Sequence, residues 1–223
     1  EGLARMPVLR DANTLPREKT ALLALEAARD NIIRELGFID NKGTYHGADG
    51  KTVDVQKREY VKHALDGQNF ISEPYVSKID NSLVITVAVP IYDDNQQVIG
   101  LIMCDINAEW LSDQIDDIVV GKTGSVYIVG TSGTTIADPD PDTVTSMWNS
   151  TKAAESDDLL KPLAEIEQKA LNSRQAIFGT YYYKGAVKIS AGKAMNNGWA
   201  VIVFAPINEF MDTVQTLQLS MYE

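Results

Sequence analysis

The 223-residue chain is poor in the residues that build staples and metal sites: it has one cysteine, Cys104, and two histidines, His46 and His63. A single cysteine rules out an internal disulfide framework, and it leaves the two histidines without the thiol or carboxylate spacing of a zinc site. No apolar run reaches the about 18 residues that a membrane span requires, and no signal-peptide pattern is present. Basic residues are also scarce, with 20 Lys and Arg against 31 Asp and Glu, for a net charge of −11. Such a surface repels phosphate backbones and anionic lipid heads, and no local basic cluster reverses it. Nucleic acid is therefore excluded as a partner. Nothing in the chain calls for a cofactor. The acidic stretch "DPDPD" (138–142) imitates the start of a calcium loop, but Thr143 stands where the loop needs Gly and Asn149 where it needs Glu. "GTSGT" around Ser132 has Thr134 where a nucleophile elbow needs Gly, and no strand–elbow–helix pattern surrounds it.

What is present is ordinary globular material, 44% hydrophobic and 23% charged, long enough for one large or two small cores. "TLPREKTALLALEAARDNIIREL" (14–36) predicts a long helix, with Thr14 as cap, Pro16 in the first turn, and Leu22, Leu25 and Ala28 at helical spacing. Turn signals at Asn41-Lys42-Gly43 and Ala48-Asp49-Gly50 bracket short strands. "VQKREYVKHAL" (55–65) predicts an amphipathic helix stopped by Asp66-Gly67. "NFISEPYVS" predicts a strand with Ile71, Glu73, Tyr75 and Ser77 on one face. "SLVITVAVPIY" (82–92) and "QVIGLIMCDIN" predict buried strands, the second with Ile99, Leu101, Met103 and Asp105 on one side and Cys104 on the other. "AEWLSDQIDDI" predicts a helix. The order then repeats loosely: a hairpin at Ser132-Gly133, a helix over "DDLLKPLAEIEQKALNS", a hairpin about Lys184-Gly185, a buried strand "GWAVIVFAP", and an exit helix from residue 207 to the last residue. Hairpins outnumber strand–helix–strand crossovers, so the expected class is α+β with antiparallel sheets.

Three residue types near the middle carry possible chemistry. Arg58, on a short helix, is either a solvated charge or a bidentate grip for a carboxylate or imide edge. Tyr60 and Tyr75 are either half-buried core or flat pocket walls, each with one hydroxyl. Asp105 ends a very apolar strand beside Met103, where an unpaired carboxylate is expensive. It either caps the next helix or receives an ammonium, amide or ring N–H.

The ordered series "REYVKHALDGQNFISEPYVSKIDNSLVITVAVPIYDDNQQVIGLIMCDIN", followed by "GKTGSVYIVGTSGTTIADPD" and "NGWAVIVFAPINEF", resembles the double Cache (dCache) sensor domains over nearly the whole chain. The resemblance implies an N-terminal helical stalk over 1–36, a membrane-distal, ligand-binding Cache module over 37–117, a membrane-proximal module over 118–208, and an exit helix over 209–223. Each module is expected to be PAS-like, a central antiparallel sheet flanked by helices. The resemblance also implies an extracytoplasmic, non-enzymatic ligand-binding domain, homodimeric in the full receptor and tied to the membrane only through flanking transmembrane helices. The receptor class implied first is a methyl-accepting chemotaxis protein, with a sensor histidine kinase or diguanylate cyclase as alternatives. The abrupt ends at Glu1 and "LSMYE" fit a segment of something longer. In amino-acid-binding members the residues matching Arg58 and Asp105 hold the ligand carboxylate and amino group, and aromatics matching Tyr60 and Tyr75 wall the pocket. Ser77, Val53 and Val61 depart from the amino-acid pattern. The expected ligand is therefore a nucleobase, small carboxylate, amine or amino acid, held by Arg58, Tyr60, Tyr75, Ser77, Met103 and Asp105. A reading from another class is a secreted hydrolase using Glu73 and Asp105 as a carboxylate pair on adjacent strands.

Overall fold

The computed structural model describes residues 1–78 and 80–210. The chain divides into two compact units, one over Glu1–Asn107 and one from Ala108 onward. Every ladder in both is antiparallel, as the hairpin-rich sequence requires.

In the first unit, two short helices, α1 (Pro7–Arg10) and α2 (Pro16–Ala27), precede a seven-stranded sheet. Its strands are β1 (Ile33–Asp40), β2 (Thr44–His46), β3 (Thr52–Asp54), β4 (Phe70–Ile71), β5 (Tyr75–Val76), β6 (Leu83–Tyr92) and β7 (Val98–Asn107), with helix α3 (Glu59–Leu65) between β3 and β4. The order is β3-β2-β1-β7-β6-β4, and β5 also pairs with β6. The two faces have separate cores. Leu9 and Leu23 from the N-terminal helices pack on Leu36, Phe38, Ile91 and Ile102. Tyr60, Val61 and Ala64 from α3 pack on Ile39, Ala88, Leu101 and Met103. Cys104 joins the first of these faces, away from Asp105.

The long helix expected over 14–36 stops at Ala27. The Asp30 carboxylate accepts from the Ile32 N–H at 3.0 Å and turns the chain. Residues from Ile33 then pair with β7, so sheet pairing of a β-branched, apolar stretch overrides its helical spacing. The strand expected over "NFISEPYVS" breaks at Ser72–Pro74. Five residues from Ile71 to Tyr75 oppose four from Val87 to Val84, so the alternation slips by one. Phe70, not Ile71, consequently shares the inner face with Tyr75, and Ile71 is exposed. A similar slip at Gly100 turns Ile99 to the face of the N-terminal helices.

The second unit opens with the single-turn helix α4 (Trp110–Asp113), shorter than its sequence pattern. Strands β8 (Ser125–Val129) and β9 (Thr135–Ala137) form the first hairpin. Helices α5 (Pro141–Thr145), α6 (Ser150–Ala153) and α7 (Lys161–Leu171) follow, with Pro162 in the first turn of α7. Strands β10 (Ile177–Tyr183), β11 (Ala186–Ala194) and β12 (Ala200–Pro206) complete a five-stranded sheet in the order β10-β11-β12-β8-β9. Lys184 and Gly185 both have positive φ, 49° and 84°, the two-residue turn that matches strand twist. Leu163, Ile166 and Ala170 of α7 seal one face of the sheet. Most of the expected exit helix, residues 211–223, lies outside the described residues.

Candidate functional site

The inner face of the first sheet carries a row of polar groups through an otherwise apolar layer. Asp105 of β7 lies opposite Glu35 of β1 and Thr86 of β6. Thr86 donates its hydroxyl to Asp105 Oδ1 in a short hydrogen bond. The Tyr75 hydroxyl lies 2.6 Å from the same Thr86 oxygen. Ser72 Oγ, in the break between β4 and β5, accepts the Thr86 N–H at 2.8 Å. On the other flank, the Tyr45 hydroxyl donates to Glu35 Oε1 at 2.5 Å. One chain of hydrogen bonds therefore runs from the sheet edge through Thr86 to Asp105.

Asp105 is 2% exposed. Burial pushes its carboxyl up to about 7; the Thr86 hydroxyl pulls it back, and the charges of Glu35 and Asp80 push it further. Among the described residues no cation lies within ion-pair distance of it, and Arg34, which favours its charged form from a distance, is itself engaged with Asp80 at 2.8 Å. Burial likewise raises the phenols of Tyr60 and Tyr75. A carboxyl this deep can accept a hydrogen bond from a positive or N–H-bearing group.

The aromatic wall is stacked above it. The Tyr60 and Tyr75 rings are 5.9 Å apart and inclined by 26°. The Arg58 guanidinium sits over the Tyr75 ring at 4.6 Å and donates to the Val76 carbonyl at 3.1 Å. Arg58 is the residue before α3, in extended conformation (φ −69°, ψ 140°), and not inside the helix expected over 55–65. Its carbonyl accepts the first intrahelical bonds from Val61 and Lys62, both at 3.2 Å. The helix start thus fixes the backbone from which the guanidinium reaches β5.

Of the six residues expected at the site, Arg58, Tyr60, Tyr75 and Asp105 are joined by direct contacts or one bridging hydroxyl. Met103 is buried in the same core as Tyr60, one inward-facing step from Asp105 on β7. Ser77 is buried two residues beyond Tyr75, its N–H bound to the Ser82 carbonyl at 2.8 Å in the turn before β6. Val53 and Val61 pack into the same core. Thr86, Ser72 and Glu35 were not singled out from sequence. Thr86 was findable as the lone polar residue inside "LVITVAVPIY"; Ser72 and Glu35 leave no comparable mark.

The carboxylate pair considered for hydrolysis is not formed as expected. Glu73 lies in the break between β4 and β5, both of which pair with β6, so a whole strand separates it from Asp105 on β7. Among the described residues no three His, Cys, Asp or Glu side chains gather for a metal ion. In "DPDPD", Asp138 and Asp140 accept from main-chain N–H groups of Asp140 and Asp142, which is turn and cap chemistry.

These features define an antiparallel α+β module with a buried polar row on the inner face of its first sheet. The model of the Cache domain family (dCache_1) matches residues 3–214, and the chain belongs to that family. It is 31% identical over 112 residues to the methyl-accepting chemotaxis protein McpB of Bacillus subtilis, covering 48% of this chain and 16% of McpB. The fold is similar to the ligand-binding domain of the Pseudomonas fluorescens chemoreceptor CtaA in complex with L-serine: TM-score 0.66, 16% identity, covering 93% of this chain and 86% of that one. It is also similar to that of the Campylobacter jejuni chemoreceptor Tlp3 in complex with 4-methylisoleucine: TM-score 0.65, 15% identity, 93% and 79%. No helix among the described residues is long and apolar enough to cross a membrane.

Proposed function

We propose that this chain is the extracytoplasmic ligand-binding sensor domain of a transmembrane chemoreceptor, homodimeric in the receptor, and that its first unit is the membrane-distal, ligand-binding module. The observation that carries the reading is the buried Asp105, wired through Thr86 to Tyr75, with the Arg58 guanidinium over that tyrosine's ring. A small ligand with an acceptor end and a donor end matches this pair. A carboxylate takes the fork of Arg58 in place of the Val76 carbonyl, and an ammonium or amide N–H takes Asp105. Tyr60, Tyr75 and Met103 cover the apolar body between them. The serine and 4-methylisoleucine complexes of relatives with the same fold support an amino acid as the first ligand class to test.

Because Asp105 is buried and bonded to Thr86, binding requires Tyr75 and the two-residue strand β5 to shift outward. Such a strand at the sheet margin, held by two residue pairs, is the element of least resistance. Ligand would then select between two arrangements of this edge, and that selection is the signal. A thermal-shift screen of amino acids, amines, small carboxylates and nucleobases tests the function. A binder at 100 times its dissociation constant adds about 2.7 kcal/mol of stability. A screen in which no compound raises the melting temperature would defeat the proposal.

A further inference from the structure

The second unit contains a cavity of about 300 Å³ lined by Thr135, Asp138, Trp148, Tyr183, Lys188 and Phe204, with Glu167 and Lys184 also at its wall. Three observations set its chemistry. Thr135 is 1% exposed, and its hydroxyl has no hydrogen-bond partner among the described residues. A buried hydroxyl left so is costly, and this one lines a cavity. Lys188 extends from β11 between two rings, its ammonium 4.1 Å from the centre of Phe204 and 5.2 Å from that of Tyr183. No carboxylate lies within ion-pair distance of it among the described residues.

The acids around the cavity are already engaged. Glu167 accepts from Tyr127 at 2.9 Å on one oxygen and from Ser150 on the other. Asp140 holds Lys184 at 2.6 Å and the Asp142 N–H at 3.2 Å. Asp138 accepts the Asp140 N–H at 2.8 Å. The Lys188 ammonium and the buried Thr135 hydroxyl thus stand uncommitted among aromatic faces.

We infer that this cavity is a second ligand site, in the second unit, for a small organic carboxylate, with Lys188 as its charge partner and Thr135 as a neutral donor. A volume of about 300 Å³ suits a ligand of roughly ten heavy atoms or fewer, at the small end of known pockets. Trp148, Tyr183 and Phe204 supply apolar walls for its body, and the remaining Asp138 oxygen can accept a ligand hydroxyl. This site is independent of the polar row at Asp105, which belongs to the other unit.

The test is calorimetric titration of the whole chain with sodium propionate, lactate and benzoate. Wild type, Lys188→Met, Thr135→Val and Arg58→Ala are compared, each first checked for a native circular dichroism spectrum. At least one probe is expected to bind with a dissociation constant below about 1 mM. Lys188→Met should weaken it at least tenfold, Thr135→Val about threefold or more, and Arg58→Ala should leave it unchanged. No heat from any of the three at 10 mM overturns the inference. So does binding that survives both Lys188→Met and Thr135→Val, or binding that Arg58→Ala abolishes. Should Lys188→Met fail to fold, Thr135→Val, which keeps volume and shape, decides alone. Because Arg58→Ala leaves this site intact, loss of the distal reading and loss of this one give different results.

Discussion

Asp105→Asn isolates the electrostatic strain of the site with almost no change in shape. The Asp105 carboxyl has its pKa raised from 3.8 to about 7 in the folded chain, mainly by burial. A carboxyl that is harder to ionise folded than unfolded favours the fold while it keeps its proton. That contribution is complete below pH 3.8 and is lost as pH rises through about 7. At 1.36 kcal/mol per pH unit the whole interval is worth about 4 kcal/mol, of which roughly 2.5 kcal/mol disappears between pH 5 and pH 8. Asparagine cannot titrate, so the stability of wild type relative to Asp105→Asn should fall by roughly 2.5 kcal/mol over that range. All three tryptophans, Trp110, Trp148 and Trp199, lie in the second unit, so their fluorescence does not read this site. Hydrogen exchange of the β6 and β7 amides, measured at pH 5, 6, 7 and 8 and corrected for intrinsic rates, does. Parallel profiles for the two proteins, within about 0.5 kcal/mol, would refute the claim that burial governs Asp105. The same logic makes a cationic ligand bind more weakly as pH falls from 7 to 5, because binding must displace the proton from Asp105.

Other outcomes follow from the packing. A Cβ on Gly37 would lie 2.3 Å from Tyr45 Cε2, so Gly37→Ala should displace the ring that holds Glu35; a loss of about 1–3 kcal/mol in denaturant unfolding, with weaker ligand binding, is expected. Leu23→Ala removes a fully buried side chain that joins α2 to the sheet, and unfolding should become easier by about 2–5 kcal/mol while ligand affinity stays within twofold. The Cys104 thiol is pushed up to about 11 by burial, so at pH 8 its alkylation in the folded chain should run about a hundredfold slower than in the chain unfolded by denaturant; equal rates would contradict the packing.

Much of this molecule was legible because apolar runs and turn chemistry are local. β6, β7, the β10–β11 hairpin and α7 follow directly from "LVITVAVPIY", "VIGLIMCDIN", Lys184-Gly185 and Pro162. The polar position on the inner face of β7 was legible too, since Asp105 stands out against its apolar neighbours. What sequence hid was pairing. The stretch 33–36 has helical spacing within "NIIREL", yet it lies across from Asp105 and Ile106 in the sheet. The slip between Ile71 and Tyr75 is a register event, set by the partner strand, and it exchanged Ile71 for Phe70 on the inner face. Thr86 and Glu35 acquire their roles only when three strands are laid side by side.

In the proposed complex Arg58 and Asp105 hold opposite ends of one small ligand. The most direct measurement is calorimetric titration of the best amino acid from the thermal-shift screen into wild type, Arg58→Ala and Asp105→Asn, each confirmed folded. Each variant is expected to lose at least about 2 kcal/mol, or roughly thirtyfold, in affinity, because each leaves one charged end of the ligand unmatched. Wild-type affinity retained by both variants would contradict the proposal.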